Sequence, residues 1–290
     1  MNWTNYHTHT LYCDGECTVE EHARQAVENQ MLAIGFSSHA PVPFETDWHV
    51  KQGDLKAYFQ DIKHAKATYP QVQIYTGLEV DFIPDVIGPG DFEAYKLDVI
   101  VGSVHYIGQY ADGEHFCMDF TAEELARGLR EVYAGDVQAM VRAYYERVQM
   151  MVRYDPPDII GHLDLIKKLN KDNRFFDETQ SWYKEIVKET IEVISNSSCI
   201  VEVNTRGFYQ GKTEEFYPSK WILEMCFAKN ILVTISSDAH HFTELENNFR
   251  KAAELLLNIG YQEVSIYNHD KWMQAKLSTK GLQIEKNIDI

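Results

Sequence analysis

The segment Asn5-Tyr6-His7-Thr8-His9-Thr10 sets two histidines two residues apart. In an extended chain alternate side chains share a face about 7 Å apart, a workable bite for one metal ion that takes imidazole nitrogen at about 2.0–2.1 Å. Residues of the same two chemical kinds recur at or beside the ends of later apolar runs: Asp14, His39, Glu79, His105, His162, Asp238 and His240. Six histidines and three carboxylates exceed what one ion needs and suit two or three. Imidazole mixed with carboxylate selects zinc, manganese or iron over calcium or magnesium. Singly, each has an ordinary reading: His162 as a satisfied core histidine, Glu79 as a solvated charge, Asp14 as a turn residue before Gly15. Buried together without a cation, the set would leave uncompensated charge and competing protons, so as a group it predicts a metal centre.

Such a centre needs a frame that gathers strand ends. After the first segment, short apolar runs occupy 32–39, 73–80, 97–105, 158–162, 199–204 and 231–240, giving seven strands; 264–267 is a candidate eighth. Helical patterns lie between them. Thr18-Val19-Glu20-Glu21 reads as a capping box for a helix to about Gln30, and further helices are expected over about 55–69, within 121–152, over 178–196, after Pro218 at a first helical position, and to about Asn258. Strands alternating with helices mark an α/β chain with parallel strands covered on both faces. Polar residues at the carboxyl end of run after run favour a closed barrel over an open sheet, because a barrel brings those ends to one mouth. The expectation is a distorted (β/α)7 barrel with its active site at the C-terminal ends of the strands. It forms one domain over 1–290, with a polar tail from about 271 to 290.

Composition narrows the partners. Apolar residues make up 44% of the 290 and charged residues 24%, as in a globular protein rather than a disordered one. The formal charge of −17 repels a nucleic-acid backbone, so a polymeric nucleic acid is not expected as a partner. No apolar run approaches the roughly 20 residues that span a bilayer, and no membrane partner is expected. Five cysteines with no secretory leader read as reduced thiols in a cytoplasm. Cys13 and Cys17 stand near the histidine pair but lack a second Cys/His pair of the finger type. The oligomeric state is not legible.

The ordered set His7-Thr8-His9, Ser-Ser-His39, Gly-Leu-Glu79, Ser-Val-His105, Gly-His162 and Ser-Asp238-Ala-His240 resembles the polymerase-and-histidinol-phosphatase (PHP) family over about residues 1–260. Within it the chain is similar to the bacterial histidinol-phosphate phosphatases. The resemblance implies a distorted seven-stranded barrel with up to three metals. It implies a first metal held by His7, His9, Glu79 and Asp238, a second bridged by Glu79 and held with His105 and His162, and a third held by Asp14, His39 and His240. Where some relatives carry a histidine in the first loop, this chain offers Asp14.

The implied reaction is hydrolysis of L-histidinol phosphate, a small-molecule phosphate ester of histidine biosynthesis. Divalent ions bring a bound water to deprotonation near neutral pH and so supply a nucleophile for in-line attack on phosphorus. Arg206 and Lys212, in the loop after the sixth strand, are the candidate cations for the phosphoryl oxygens. Arg206 ranks first, two residues past the strand end and able to grip phosphate with a fork. Asp14 or His240 would pass a proton to the leaving alcohol. The long loop 106–120 carries Asp112, Glu114, His115 and Asp119, suited to an amine and an imidazole. His22, His49, His64, His115, His241 and His269 fall on helices, in loops or in the tail and are expected outside the metal site. Competing readings keep the site but change the activity to a nucleotide phosphatase, a 3′–5′ exonuclease or a phosphotyrosine phosphatase, remove the chemistry to leave an idle metal-binding barrel, or make it an amidase.

Overall fold

A computed structural model describes residues 2–284. Twelve strands are present in chain order: β1 (Thr4–Asn5), β2 (Ala33–Phe36), β3 (Gln73–Asp81), β4 (Val99–Ser103), β5 (Tyr106–Gln109), β6 (His115–Cys117), β7 (Ile159–Ile160), β8 (Ile200–Asn204), β9 (Val233–Ser236), β10 (Glu263–Asn268), β11 (Lys271–Ser278) and β12 (Gly281–Gln283). The α-helices are α1 (Val19–Glu28), α2 (Leu55–Thr68), α3 (Ala122–Glu131), α4 (Val137–Tyr154), α5 (Ser181–Ser195), α6 (Arg206–Tyr209), α7 (Lys220–Ala228) and α8 (Phe249–Ile259).

Seven strands form one parallel sheet in the order β1-β2-β3-β4-β7-β8-β9. Its two edges meet just beyond the strand ends, where Thr8 bridges Ala239 in parallel and the His9 N–H donates to Ala239 O at 2.8 Å. The sheet is thus a nearly closed barrel, joined at its carboxyl end. Most of the strands are shorter than the apolar runs suggest, because those runs continue into the mouth as irregular backbone; of the seven, β3 alone extends past its run, to Asp81. Gly77 lets β3 approach β4, since a Cβ there would stand 2.5 Å from Val99 O.

Helices cover the barrel because each carries one apolar face. Helix α1 is fixed at its start by the expected capping box: Thr18 Oγ1 accepts the Glu21 N–H at 3.2 Å, and the Glu21 carboxylate accepts the Thr18 N–H at 2.9 Å. In α4, Met140, Val141, Tyr144, Tyr145, Val148, Met151 and Val152 turn inward at helical spacing. Pro218 does not open α7. Ser219 is the N-cap instead, its N–H and hydroxyl both donated to Asp164 Oδ2 at 2.9 Å.

The C-terminal segment departs from expectation. Run 264–267 does become a strand, but in a separate antiparallel sheet, β10-β11-β12, and not in the barrel. Residues 271–283, expected as a polar tail, supply its other two strands; 285–290 lie outside the described residues. The segment reads as polar because alternate residues face solvent: Ala275 and Leu277 are buried while Gln274 and Lys276 are exposed. This sheet stops the amino end of the barrel. Tyr267 and Trp272 pack on the interior cluster of Tyr6, Ala33, Tyr75, Val99, Val101, Ile159 and Ile200. Tyr6 Oη donates to Tyr267 O and accepts the Tyr267 N–H, each at 2.8 Å.

Candidate metal centre

All nine candidate ligands meet at the carboxyl mouth. His7 and His9 follow β1, His39 follows β2, Glu79 lies in β3, His105 follows β4, His162 follows β7, and Asp238 and His240 follow β9. Asp14 reaches in from the first loop. Glu79 is central and 1% exposed. Its Oε2 stands 3.2 Å from His7 Nε2, 3.4 Å from His9 Nε2 and 3.0 Å from His39 Nδ1. Its Oε1 stands 3.0 Å from His162 Nε2 and 3.9 Å from His105 Nε2, and accepts the Ser103 hydroxyl at 2.6 Å. Asp238 Oδ1 lies 3.2 Å from His9 Nε2 and 3.8 Å from His7 Nε2. Asp14 Oδ2 is 3.0 Å from His240 Nε2, and its Oδ1 is 3.7 Å from His39 Nε2.

Proximity sorts these atoms into four overlapping groups: His7-His9-Glu79, His7-His162-Asp238, His39-Glu79-His105, and His9-Asp14-His39-His240. The last contains the expected third set with His9 added. Elsewhere His39 also turns to Glu79 and His105, so the groups share members more freely than a partition into three separate sites.

The donor set suits cations on two counts. Ligand atoms on one tetrahedral ion at about 2.0–2.1 Å lie about 3.3 Å apart, close to the His7, His9, Glu79 and Asp238 separations. Several of these contacts also fail as hydrogen bonds: His7 Nε2, His9 Nε2 and His39 Nδ1 are buried without a partner, as is the other ring nitrogen of His162, Nδ1. Moreover, His7, His39, His105 and His240 face oxygen acceptors with both ring nitrogens. A neutral imidazole has one proton to give, so the second edge calls for another proton or a metal ion.

Electrostatics agree. Burial opposes charge on His105, but Asp81, Asp119 and Glu79 outweigh it and raise its pKa to about 10. His7 and His39 are likewise raised against burial, by Glu202, Glu79 and Asp238 and by Glu79 and Asp14 respectively. His9 goes the other way, to about 3, from burial and from the neighbouring His240 and His39. Burial also works against charge on Glu79 and Asp238, yet the surrounding histidines hold both well below the usual carboxylate range. Carboxylates that draw protons to imidazoles draw metal ions to the same lone pairs.

Two of the candidate ligands sit in left-handed backbone: His162 at φ 22° and Asp238 at φ 52°. Such conformations cost on the order of 1–3 kcal/mol each and need support. Glu202 Oε1 accepts the His162 N–H at 2.7 Å, and Arg206 Nη1 donates to Asp238 O at 2.8 Å.

A supporting layer escaped the sequence reading. Glu202, fully buried in β8, stands 2.9 Å from His7 Nδ1 and accepts from Asn204 Nδ2 at 2.9 Å. Asp81 accepts from His105 Nδ1 at 2.8 Å and from His49 Nε2 at 2.9 Å. His49 therefore stays outside the ligand groups, as expected, but is bonded directly behind them. The one available signal was Glu79-Val80-Asp81: alternate strand residues share a face, so Asp81 points the way Glu79 does.

A cavity of about 360 Å³ opens over the cluster, lined in part by Trp48, Asp119, Phe120, Lys168, Arg206, Lys212 and Tyr217. Arg206 and Lys212 thus reach the cavity. Arg206 spends Nη1 on Asp238 O and Tyr209 Oη. Lys168, which the sequence reading missed, lies 2.7 Å from Asp119 Oδ2. Of the four loop residues expected to read the substrate, Asp119 lines the cavity. Asp112 and Glu114 are exposed on the β5–β6 hairpin, and His115 stacks on Phe44 at 4.4 Å. None of Asp112, Glu114 and His115 lines the cavity.

A family model for the PHP domain matches residues 5–206. The chain belongs to the PHP family. That PHP match takes in His7 through His162 and ends on Arg206; Asp238 and His240 lie beyond it and join the cluster by geometry. The histidinol-phosphatase of Bacillus subtilis is 26% identical over 262 residues, 81% of this chain and 92% of that one. The histidinol-phosphatase of Lactococcus lactis is 25% identical over 293 residues, 97% and 100% of the two chains. The PHP barrel matches a crystal structure from Listeria monocytogenes with a TM-score of 0.75 at 22% identity, over 86% and 99% of the chains. It also matches the histidinol phosphate phosphatase of Lactococcus lactis, crystallised with zinc, L-histidinol and phosphate, with a TM-score of 0.67 at 22% identity, over 98% and 99%.

Proposed function

We propose that this chain is a metal-dependent phosphomonoesterase that hydrolyses L-histidinol phosphate to L-histidinol and phosphate, as a cytoplasmic step of histidine biosynthesis. The observation that carries the reading is that one cavity holds both a donor set demanding cations and three cationic side chains, Arg206, Lys168 and Lys212. Curated relatives named histidinol-phosphatase run the length of the chain, and the Lactococcus lactis protein binds zinc, L-histidinol and phosphate.

In this reading His7, His9, Glu79 and Asp238 hold one divalent ion, Glu79 with His105 and His162 a second, and Asp14, His39 and His240 a third. Zinc, manganese or iron would suit the nitrogen–oxygen mixture. Ions held there would supply an activated water and neutralise charge at phosphorus. The chain supplies the rest. Arg206, already oriented by Asp238 O, presents its remaining N–H groups to phosphoryl oxygens, and Lys168 and Lys212 add charge from the cavity wall. Trp48, Phe120 and Tyr217 give the alcohol's ring an apolar lining and restrict water.

For the leaving oxygen the two candidates stand together, with Asp14 Oδ2 3.0 Å from His240 Nε2. Burial resists charge on Asp14, but His39, His240 and His9 hold its carboxylate well below the usual range, so where no ion stands between them it accepts the hydrogen bond from His240. The same nitrogen serves a third ion, so a proton and an ion exclude one another there. A phosphate-release assay on metal-analysed protein tests the function, with L-histidinol phosphate beside nucleoside monophosphates and phosphotyrosine. Histidinol phosphate should win; a tenfold preference for a nucleotide would move the assignment to nucleotide phosphatase.

No helix among the described residues is long and apolar enough to cross a membrane. The five cysteines are unpaired, in keeping with a reducing compartment.

A further inference from the structure

We propose that His49 is a positioning residue for the metal centre: acting through Asp81, it fixes the ring of His105 with the Nε2 lone pair toward Glu79. The inference rests on the metal-dependent reading above and extends it to a loop that contributes no ligand.

The hydrogen-bond directions follow from one group. Asp81 is 2% exposed, and an ionised carboxylate only accepts. His49 Nε2 lies 2.9 Å from Asp81 Oδ2 and His105 Nδ1 lies 2.8 Å from Asp81 Oδ1, so both imidazoles donate. The His105 backbone N–H gives Oδ1 a second bond at 3.2 Å. With its proton on Nδ1, His105 keeps Nε2 as a lone pair, and that atom faces Glu79 Oε1 at 3.9 Å. With its proton on Nε2, His49 must accept at Nδ1, where the Thr46 hydroxyl stands at 2.8 Å. The run Thr46 to His49 to Asp81 to His105 therefore has every direction assigned: Thr46 donates to His49, and both imidazoles donate into Asp81 from opposite sides, which leaves His105 Nε2 as the one ring nitrogen of the run that no hydrogen bond occupies.

Packing holds the run in place. The Trp48 ring lies 3.8 Å from His49, 4.6 Å from His39 and 5.4 Å from His105 by ring centroids. His49 itself is 5% exposed. Water has little access to replace its N–H, so losing His49 leaves Asp81 Oδ2 buried without a donor and free to turn. The His7–Glu202 contact performs the same task on the other side of the cluster, through separate residues.

The test is a calorimetric zinc titration of chelator-stripped full-length protein, comparing wild type, His49→Leu and His49→Gln, with thermal melts of each metal-free protein. Gln keeps an amide donor for Asp81 and an acceptor for Thr46, whereas Leu keeps only volume. His49→Leu should lose about 10–100-fold in affinity for one zinc equivalent, and His49→Gln should recover most of it. A wild-type titration from His49→Leu, or equal losses in both variants, would overturn the proposal. If His49→Leu shows no cooperative melt, the isosteric Asp81→Asn decides. Its amide donates to one imidazole and moves a proton onto the far nitrogen, so the same equivalent should weaken, and unchanged affinity would refute the role. Wild-type protein that binds zinc but releases no phosphate from histidinol phosphate would overturn the function alone, and the zinc comparison would still decide His49.

Discussion

Glu202 Oε2 stands 2.9 Å from His7 Nδ1, with both side chains fully buried. The carboxylate fixes the His7 proton on Nδ1 and aims Nε2 at Glu79 and Asp238, while its other oxygen supports the left-handed His162 backbone. Glu202→Gln should lower zinc affinity about 10–100-fold, as removal of partners behind metal-bound histidines does elsewhere. Metal analysis after dialysis against a weak chelator reads the effect; full retention would show that His7 needs no orienting.

Arg206→Ala should raise KM and lower kcat/KM by about 10–100-fold, the scale of one or two charge-assisted hydrogen bonds to phosphate. Steady-state kinetics beside metal analysis separates two roles. If metal is lost, the bond from Arg206 Nη1 to Asp238 O matters more than any contact with substrate.

Stripping the metals should abolish hydrolysis and lower Tm, because ions that bind only the folded chain stabilise it by mass action. Zinc or manganese should restore both. Undiminished turnover by metal-free protein would end the mechanism.

In metal-free protein His105 is raised to about 10, above the roughly 6.5 of an unfolded histidine. A raised folded pKa gives stability that is complete below about pH 6.5 and lost as pH climbs through about 10. An incoming ion must displace that proton, so the Tm gap between zinc-loaded and metal-free protein should widen from about pH 6 to about pH 9. Thermal melts across that range test it; a constant gap would mean that no proton leaves on binding.

Tyr6→Phe removes the two bonds that tie the barrel interior to Tyr267 in β10, leaving the half-buried Tyr267 N–H and C=O without that partner. A loss of about 1–3 kcal/mol in denaturant unfolding is expected, with zinc content unchanged. A fall in zinc content would show that the lower sheet reaches the mouth.

The nine candidate donors stood out in the sequence because metal sites demand particular side chains, and those side chains close apolar runs that nothing else explains; the fold brings them together. Seven parallel strands were legible for the same reason: strands buried on both faces are apolar throughout. What escaped is what depends on contact across the fold. Lys168 follows His162 in a short irregular stretch, and only the closed barrel turns it to the mouth. His49, on a loop, looks like any loop histidine until Asp81 is placed beside it. The β11 strand hid because a one-sided strand shows half its residues to water, and its apolar half, Ala275 and Leu277, became meaningful only once the main core and α8 were placed against it.

The Thr8–Ala239 bridge ties the beginning of the fold to nearly its last barrel element. His7 and His9 are made more than two hundred residues before Asp238 and His240, which complete their surroundings. Over that interval the nascent chain carries unsatisfied histidines with no finished pocket. Closure depends on a contact of very long sequence separation, the kind that slows folding. A chain stopped before β9 would keep seven of the nine donors and still have no rim to hold them together.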